Sequence, residues 1–250
     1  MKKTPLIPAE DETLDSFYCG RILVLQKRKG YRFSVDAPLL ANDIQTGEND
    51  EILELGAGCG IISLLLSVKP FRHLTAVEVQ PALADLARRN VRINQLEDRV
   101  SIVEEDLNSF QPKGRFDVIF SNPPYHKQDT GHLSLTEEKS IAKHELKVSI
   151  SDIMQKTSQL LKKKGRAHFI FPARRERDFL LAVEVCGLKV KRKRSVFPRA
   201  GAGANWILFT CDYTSRRTEI RPGLVLHEGE GCYSTEAQGI FSGRSDDSTF

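Results

Sequence analysis

The 250-residue sequence contains no apolar run near the roughly 20 residues that a membrane-spanning helix needs, so no span is expected. Its first residues, Met1-Lys2-Lys3-Thr4-Pro5, lack the apolar core of a secretion signal, and the chain reads as soluble and cytoplasmic. The five cysteines (Cys19, Cys59, Cys186, Cys211, Cys232) are odd in number, far apart and never spaced as C-x-x-C. That argues against a disulfide framework and against a cysteine zinc site, and leaves them as reduced, small apolar residues. His126, His132 and His144 have no spacing that would place a metal pair on one helix, so no metal is expected. Internal repeats and low-complexity linkers are also lacking. What remains is ordinary globular material, 40% hydrophobic and 28% charged, of a length that suits one Rossmann-size α/β domain with small additions.

Net charge is only +4, but it is unevenly placed. Between Leu161 and Arg199 stand thirteen Lys or Arg against three acidic residues, so this stretch carries +10 and the rest −6. Such asymmetry points to a polyanionic partner; the plainer reading is a solvated charged face. Lys162, Lys163 and Lys164 at a helix end, Arg174 and Arg175 at a helix start, and Lys191 and Lys193 on one face of a strand are the residues expected to make a basic surface.

From residue 51 the pattern alternates. Short apolar runs at 51–55, 73–78, 100–103, 116–120, 168–171, 188–196 and 206–211 read as strands. Between them lie an apolar segment at 61–66, a helix opened by Pro81 with Leu83, Leu86, Ala87 and Val91 on one side, a helix at 150–161 stopped by Gly165, and another at 179–186 stopped by Gly187. This βαβα order predicts an α/β fold: a mostly parallel seven-stranded sheet with helices on both faces. The loop at 197–205 is too short for a crossover, so the last two strands should form an antiparallel hairpin at the sheet edge. The expected division is an N-terminal extension with a helix over 1–45, the main domain over 46–212, and a polar tail over 213–250, disordered from Ser242.

Two motifs carry chemistry. The first, Glu54-Leu55-Gly56-Ala57-Gly58-Cys59-Gly60, sits where the first parallel strand meets a helix. Glycines let the backbone turn tightly and approach a ligand, and the helix start offers free N–H groups. Dinucleotide enzymes space these glycines as G-x-G-x-x-G; here the third comes one residue early. Glu78 ends the next strand, where a carboxylate can accept hydrogen bonds from both ribose hydroxyls. Asp106 follows the strand after that.

The second motif, Ser121-Asn122-Pro123-Pro124-Tyr125, ends the fourth strand, and ligands of open α/β sheets bind at that end. An amine on an aromatic ring or an amide is a poor nucleophile because its lone pair is delocalised. The Asn122 side-chain oxygen and the Pro123 carbonyl can accept its two N–H bonds and so turn the lone pair toward an electrophile. Proline brings no competing donor, and the residue before it is biased to extended backbone. Tyr125 offers a face for stacking. The result is a preorganised polar clamp that needs no general base.

The glycine motif resembles motif I of class I methyltransferases, where it holds the methionine and ribose parts of S-adenosyl-L-methionine. More closely, from about Gly20 to Tyr233 the chain resembles the tRNA(Val) adenine-37 N6-methyltransferase family of small methyltransferases. The resemblance rests on Phe33-Ser34-Val35-Asp36-Ala37-Pro38-Leu39-Leu40-Ala41, the glycine loop, Asn122-Pro123-Pro124-Tyr125, Ala142-Lys143-His144-Glu145 and Tyr233-Ser234-Thr235-Glu236. It implies that the Phe33–Ala41 segment closes over the cofactor, bringing Phe33 and Asp36 to it. It also implies that Asp106 takes the adenine amine of the cofactor, with Val79 and Leu107 beside these acids. The implied activity is methylation of adenine N6 in RNA, foremost tRNA, by a cytoplasmic protein; a monomer is favoured, and the sequence does not fix the oligomeric state. The alternatives are a glutamine-amide methyltransferase, which usually has a helical N-terminal domain; a DNA adenine methyltransferase, which needs a separate recognition region; and an RNA-binding module without catalysis.

Overall fold

The computed structural model describes residues 8–29, 33–123, 149–229 and 231–244. Its centre is a sheet that begins with β3 (Glu51–Leu55), β4 (His73–Glu78), β5 (Val100–Glu104) and β6 (Phe116–Ser121), all parallel. β7 (Leu161–Pro172) adds a further parallel strand beside β6. β9 (Trp206–Asp212) then lies antiparallel between β7 and β8 (Lys189–Arg199), giving the order β8-β9-β7-β6-β3-β4-β5. These are the seven expected strands, in the class I methyltransferase arrangement.

Side chains alternate across the sheet. Ile52, Val118 and Phe120 pack on one face, under α1 (Asp36–Asp43), α2 (Ile61–Leu66) and α3 (Pro81–Ile93). Leu53, Ile119 and Phe169 pack on the other, with α4 (Ile150–Leu160) and α5 (Glu176–Val185). Every residue of α2 is buried, as its unbroken apolar run requires. α4 starts with a capping box between Ser149 and Asp152. No helix among the described residues is long and apolar enough to cross a membrane.

Three expectations need correction. First, the hairpin does not close the edge. β10 (Glu219–Ile220) and β11 (Leu224–His227), both from the tail, pair parallel to β8 and cover it. Second, Gly165 does not stop a helix. α4 ends at Leu160, and Lys162, Lys163 and Lys164 sit in a bulge of β7, where the register jumps between Phe116–Leu161 and Val118–Arg166. A Cβ on Gly165 would lie 2.7 Å from Leu161 Cδ1 and 2.9 Å from the Asp117 carbonyl, so only glycine allows that bulge. Third, the N-terminal extension holds more than the expected helix: β1 (Glu12–Phe17) and β2 (Ile22–Lys27) form an antiparallel hairpin. The tail also carries a helix, α6 (Thr235–Ser242), N-capped by Ser234. Tyr18, Leu25, Leu40, Ile62, Leu224 and Ile240 belong to one core cluster, so the hairpin, the main domain and the tail fold as one body. Of the tail expected to be disordered, residues 245–250 lie outside the described residues.

The hairpin is docked by polar contacts that hydrophobic periodicity does not reveal. Asn90 on α3 and Asn94, the residue that caps the end of that helix, present their amides to β2. Asn90 accepts from Leu25 N–H (2.7 Å) and donates to Leu25 O (3.0 Å); Asn94 does the same with Leu23 (2.9 and 2.7 Å). Arg89 then grips the buried Glu12 through two 2.7 Å bonds. This bidentate contact holds the Glu12 carboxyl down to about 2. Arg89→Met should therefore cost about 1–3 kcal/mol at pH 7, because it leaves the Glu12 carboxylate only Lys27 at 3.3 Å and the Ala9 N–H at 2.9 Å. A lowered carboxyl contributes stability above its unfolded value and loses it as pH falls through the folded one. The difference between variant and wild type should thus shrink from pH 4.5 toward 2. Urea unfolding at pH 7 and pH 3 reads this; equal differences at the two pH values would contradict it.

Candidate active site

The carboxyl ends of β3, β4, β5 and β6 converge on one rim of the sheet. At the end of β3, Gly56, Gly58 and Gly60 have φ of 77°, 57° and 80°, all in the left-handed region. Gly56 and Ala57 donate N–H bonds to Val77 O at 2.9 and 3.0 Å, which pins the loop to β4. A Cβ on Gly56 would meet no heavy atom within 4 Å, so at this residue the loop presents bare backbone to open space, while Ala57 to Gly60 are buried.

Glu78, at the end of β4, is 5% exposed, and its carboxylate is fixed from both sides. Gly58 N–H donates to Oε2 at 2.7 Å and Gln80 N–H to Oε1 at 2.9 Å. Val79 follows it, half-buried. At the end of β5, Asp106 is exposed and accepts Asn108 N–H at 2.8 Å, while Leu107 is buried beneath it.

Glu54 behaves differently from the other acids. It is fully buried, and Ser63 Oγ on α2 donates to it. Burial, with the negative Glu78 nearby, pushes its carboxyl up to about 8. Glu54 is thus held neutral under the loop and supports it from below. A carboxyl whose folded value lies above its unfolded 4.5 keeps its proton in the fold, so stability falls as pH rises from 4.5 to 8. Glu54→Gln keeps an acceptor for Ser63 and removes this titration. Its melting temperature should match wild type near pH 5 and exceed it by several degrees at pH 8, about 2–4 °C for each kcal/mol of linkage. Parallel pH profiles in thermal melts would show Glu54 to be ionised.

β6 ends in the second motif. Ser121 Oγ donates to Leu55 O at 2.7 Å, tying the ends of β6 and β3 together. Asn122 comes next, half-buried, and its Nδ2 donates to Asp36 Oδ2 at 2.9 Å. Asp36, the first residue of α1, is itself set: Ser34 Oγ donates to Oδ1 at 2.6 Å and Ala37 N–H at 3.1 Å. Because Asp36 takes the N–H end of the amide, the orientation of Asn122 is fixed and its oxygen is the opposite corner. At its other end α1 is anchored by the buried Asp43, bonded to Arg192 at 3.0 Å, which together with His168 keeps the Asp43 carboxylate ionised despite burial. Pro123 is buried; Pro124, Tyr125 and Ala142–Glu145 lie outside the described residues.

The loop and clamp thus stand on one rim, a backbone cradle beside an oriented amide. Residues 32–181, more than half the chain, match the family model described as the methyltransferase small domain. The chain belongs to the methyltransferase small domain family. A relative from Dyadobacter fermentans, named tRNA1(Val) (adenine(37)-N6)-methyltransferase, is 26% identical over 86% of this chain and 90% of its own. One of the same name from Aliivibrio fischeri is 31% identical over 63% of this chain and 67% of its own. Among solved structures, a predicted O-methyltransferase from Agrobacterium tumefaciens has a TM-score of 0.67 at 21% identity, covering 84% of this chain and 97% of that one. That likeness concerns the fold.

The site fits S-adenosylmethionine, the donor of this methyltransferase family: a bare glycine cradle, a buried and doubly fixed carboxylate one strand along, and an exposed acid on the next. Sequence reasoning had placed Asp36 at the cofactor and missed its bond to Asn122. It also missed Asn90, whose Nδ2 reaches Cys59 O of the glycine loop at 2.9 Å as well as β2. The available signal was an asparagine within the apolar stripe of α3, since a buried amide must find partners.

The basic stretch does not form one surface. Lys162 pairs with Asp117, Arg175 with Asp178, Arg192 with Asp43, Lys193 with Glu176 and Arg194 with Glu236. Lys163 and Lys164 are exposed at the amino end of β7, the end of the sheet away from the clamp. Lys191 is exposed farther down β8. Arg174 and Arg177, just past the carboxyl end of β7, and Arg199, at the carboxyl end of β8, are exposed at the same end as the clamp.

Proposed function

We propose that this protein transfers a methyl group from S-adenosyl-L-methionine to the exocyclic N6 amine of an adenine in tRNA. The observation that carries the reading is the Asn122 amide held by Asp36 at the carboxyl end of β6. It sits within Asn-Pro-Pro-Tyr in a chain whose relatives are named for that reaction. The glycine loop would hold the methionine end of the donor, Glu78 its ribose hydroxyls and Asp106 its adenine, with Val79 and Leu107 as flanking walls; Phe33 packs on Phe17 at 5.1 Å instead. When bound, the donor supplies a methyl group on a positively charged sulfur. Asn122 Oδ1 and the Pro123 carbonyl accept the two N–H bonds of the target amine, which turns its lone pair toward that methyl. Asp36 keeps the Asn122 oxygen in place without reorganisation. The amine proton leaves a nitrogen already made cationic, so no side chain has to act as a base. Tyr125 stacks on the target base.

The test is incubation with total tRNA and labelled donor, followed by identification of the modified nucleoside. N6-methyladenosine is expected; label on glutamine of a protein instead would replace this reading. The grip on the phosphate backbone is assigned to Arg174, Arg177 and Arg199, at the clamp's end of the sheet, rather than to Lys163 and Lys164. Reversing the three arginines should weaken RNA binding and flatten its salt dependence by up to about 0.7–0.9 log unit per lost phosphate contact. Affinity for S-adenosylhomocysteine should not change. Titrations across a salt series decide it, and equal slopes for variant and wild type would remove these residues from the interface.

A further inference from the structure

A second concavity lies behind the clamp. Phe17, Tyr18, Phe33, Tyr233 and Phe241 line a cavity of about 640 Å³ between the β1–β2 hairpin, the start of α1 and α6. None of the glycine-loop residues, Glu78, Asp106 or Asn122 is among its described lining residues, so it is not the cofactor cradle. It is nevertheless linked to the clamp by hydrogen bonds. Ser34 lines it and donates to the same Asp36 carboxylate that holds Asn122. One short segment, Phe33 to Asp36, therefore separates the two sites.

We propose that this cavity takes a nucleobase neighbouring the target adenine, so that the RNA strand is held on both sides of that segment. The proposal rests on the RNA reading above and names a second contact for the same substrate. Three observations select a base as occupant. The walls are flat aromatic faces: Phe17 and Phe33 meet edge to face at 5.1 Å, and Tyr233 lies against His227 at 4.6 Å and Phe241 at 4.7 Å while remaining 37% exposed. Such faces accept any base by stacking. A cation stands beside these faces: the exposed Arg21 guanidinium lies 5.7 Å from the Tyr18 ring, suited to a phosphate flanking a base.

The third observation is strain. Tyr18 and Cys19, both lining the cavity, have φ of 51° and 56°, left-handed values at consecutive non-glycine residues. A hairpin turn of this kind favours asparagine and glycine. Backbone strain retained at large side chains marks a place where those side chains are used. The turn is also held rather than loose. A Cβ on Gly243 would fall 2.4 Å from the Tyr18 ring, and Arg21 bonds Gly243 O at 2.8 Å, so α6 and the hairpin keep a fixed separation.

The test compares wild type, Tyr233→Ala and Tyr233→Trp on a tRNA transcript and on the same transcript made abasic at either neighbour of the methylated adenine. Calorimetry with S-adenosylhomocysteine on each variant confirms an intact fold and cofactor site. Wild type should lose about ten- to hundredfold in kcat/KM when one particular neighbour is removed. Tyr233→Ala should lose a similar factor on intact RNA and be indifferent to that removal. Tyr233→Trp should keep wild-type behaviour. The proposal is overturned if wild type tolerates both abasic positions. It is equally overturned if Tyr233→Ala loses the same factor on intact and abasic RNA, as it would were the cavity filled by the protein's own chain. If wild type binds the cofactor product yet methylates no RNA, the proposed function fails and this inference with it; methylation without the coupling removes only the inference.

Discussion

Asn122→Ala is expected to lower methyl transfer by about 10²–10³, with affinity for S-adenosylhomocysteine within a few-fold of wild type. The amide is the end of a chain of fixed groups: Ser34 and Ala37 hold one Asp36 oxygen and Asn122 Nδ2 the other. Alanine removes the acceptor and leaves the cradle of Gly56–Gly60 and Glu78 untouched. The same arrangement makes a sharper expectation for Asn122→Asp, which sets two carboxylates against each other across a 2.9 Å contact. That variant should be as impaired as alanine, and adding Asp36→Asn should recover part of the loss by restoring one donor and one acceptor in the pair. Single-turnover rates with saturating donor give the answer. Full activity in Asn122→Ala would discard the clamp, and no recovery in the exchanged pair would discard the positioning role of Asp36.

Gly58→Val should weaken cofactor binding by about 100-fold or more. Gly58 has φ of 57° and donates its N–H to Glu78 Oε2 at 2.7 Å. A β-branched residue pays about 1–2 kcal/mol in that region, and relieving it means turning the N–H away from a buried carboxylate, a bond worth about 1.5–3 kcal/mol. Either way the Glu78 carboxylate loses its fixed direction and the loop its approach to a ligand. Calorimetry with S-adenosylhomocysteine measures this on protein whose thermal transition remains cooperative. Binding within tenfold of wild type would mean that the loop does not cradle the cofactor.

Much of this architecture was legible in the chain. Seven apolar runs, separated by segments of helical period, were enough for a doubly covered sheet, because strand and helix bury their apolar residues with periods of 2 and 3.6. Glu54 to Gly60, Glu78 and Asn122-Pro123 were legible too, since glycine and proline punctuate the ends of strands and ligands collect there. The misreadings have equally local causes. β1 has only Leu14 and Phe17 as apolar residues and β2 is a run of four apolar residues rather than an alternation, around a turn whose Tyr18 and Cys19 carry no turn signal. Gly165 looked like a helix stop because a glycine required by a close approach and one required by a cap are the same letter.

The sequence by itself determined the order of elements, the glycine loop, the asparagine-proline corner and the excess of positive charge between Leu161 and Arg199, because these depend on residue type and spacing along the chain. Only the tertiary structure decided which polar groups meet. Asp36 and Asn122 are 86 positions apart, Glu12 and Arg89 are 77 apart, and Asn90 reaches Leu25 across 65. It also decided which cations are spent on ion pairs and which stand at the clamp's end of the sheet. Hydrophobic burial is written in periodicity that each segment carries alone, whereas a hydrogen bond or ion pair needs two partners at about 3 Å, and that distance exists only once the chain has folded.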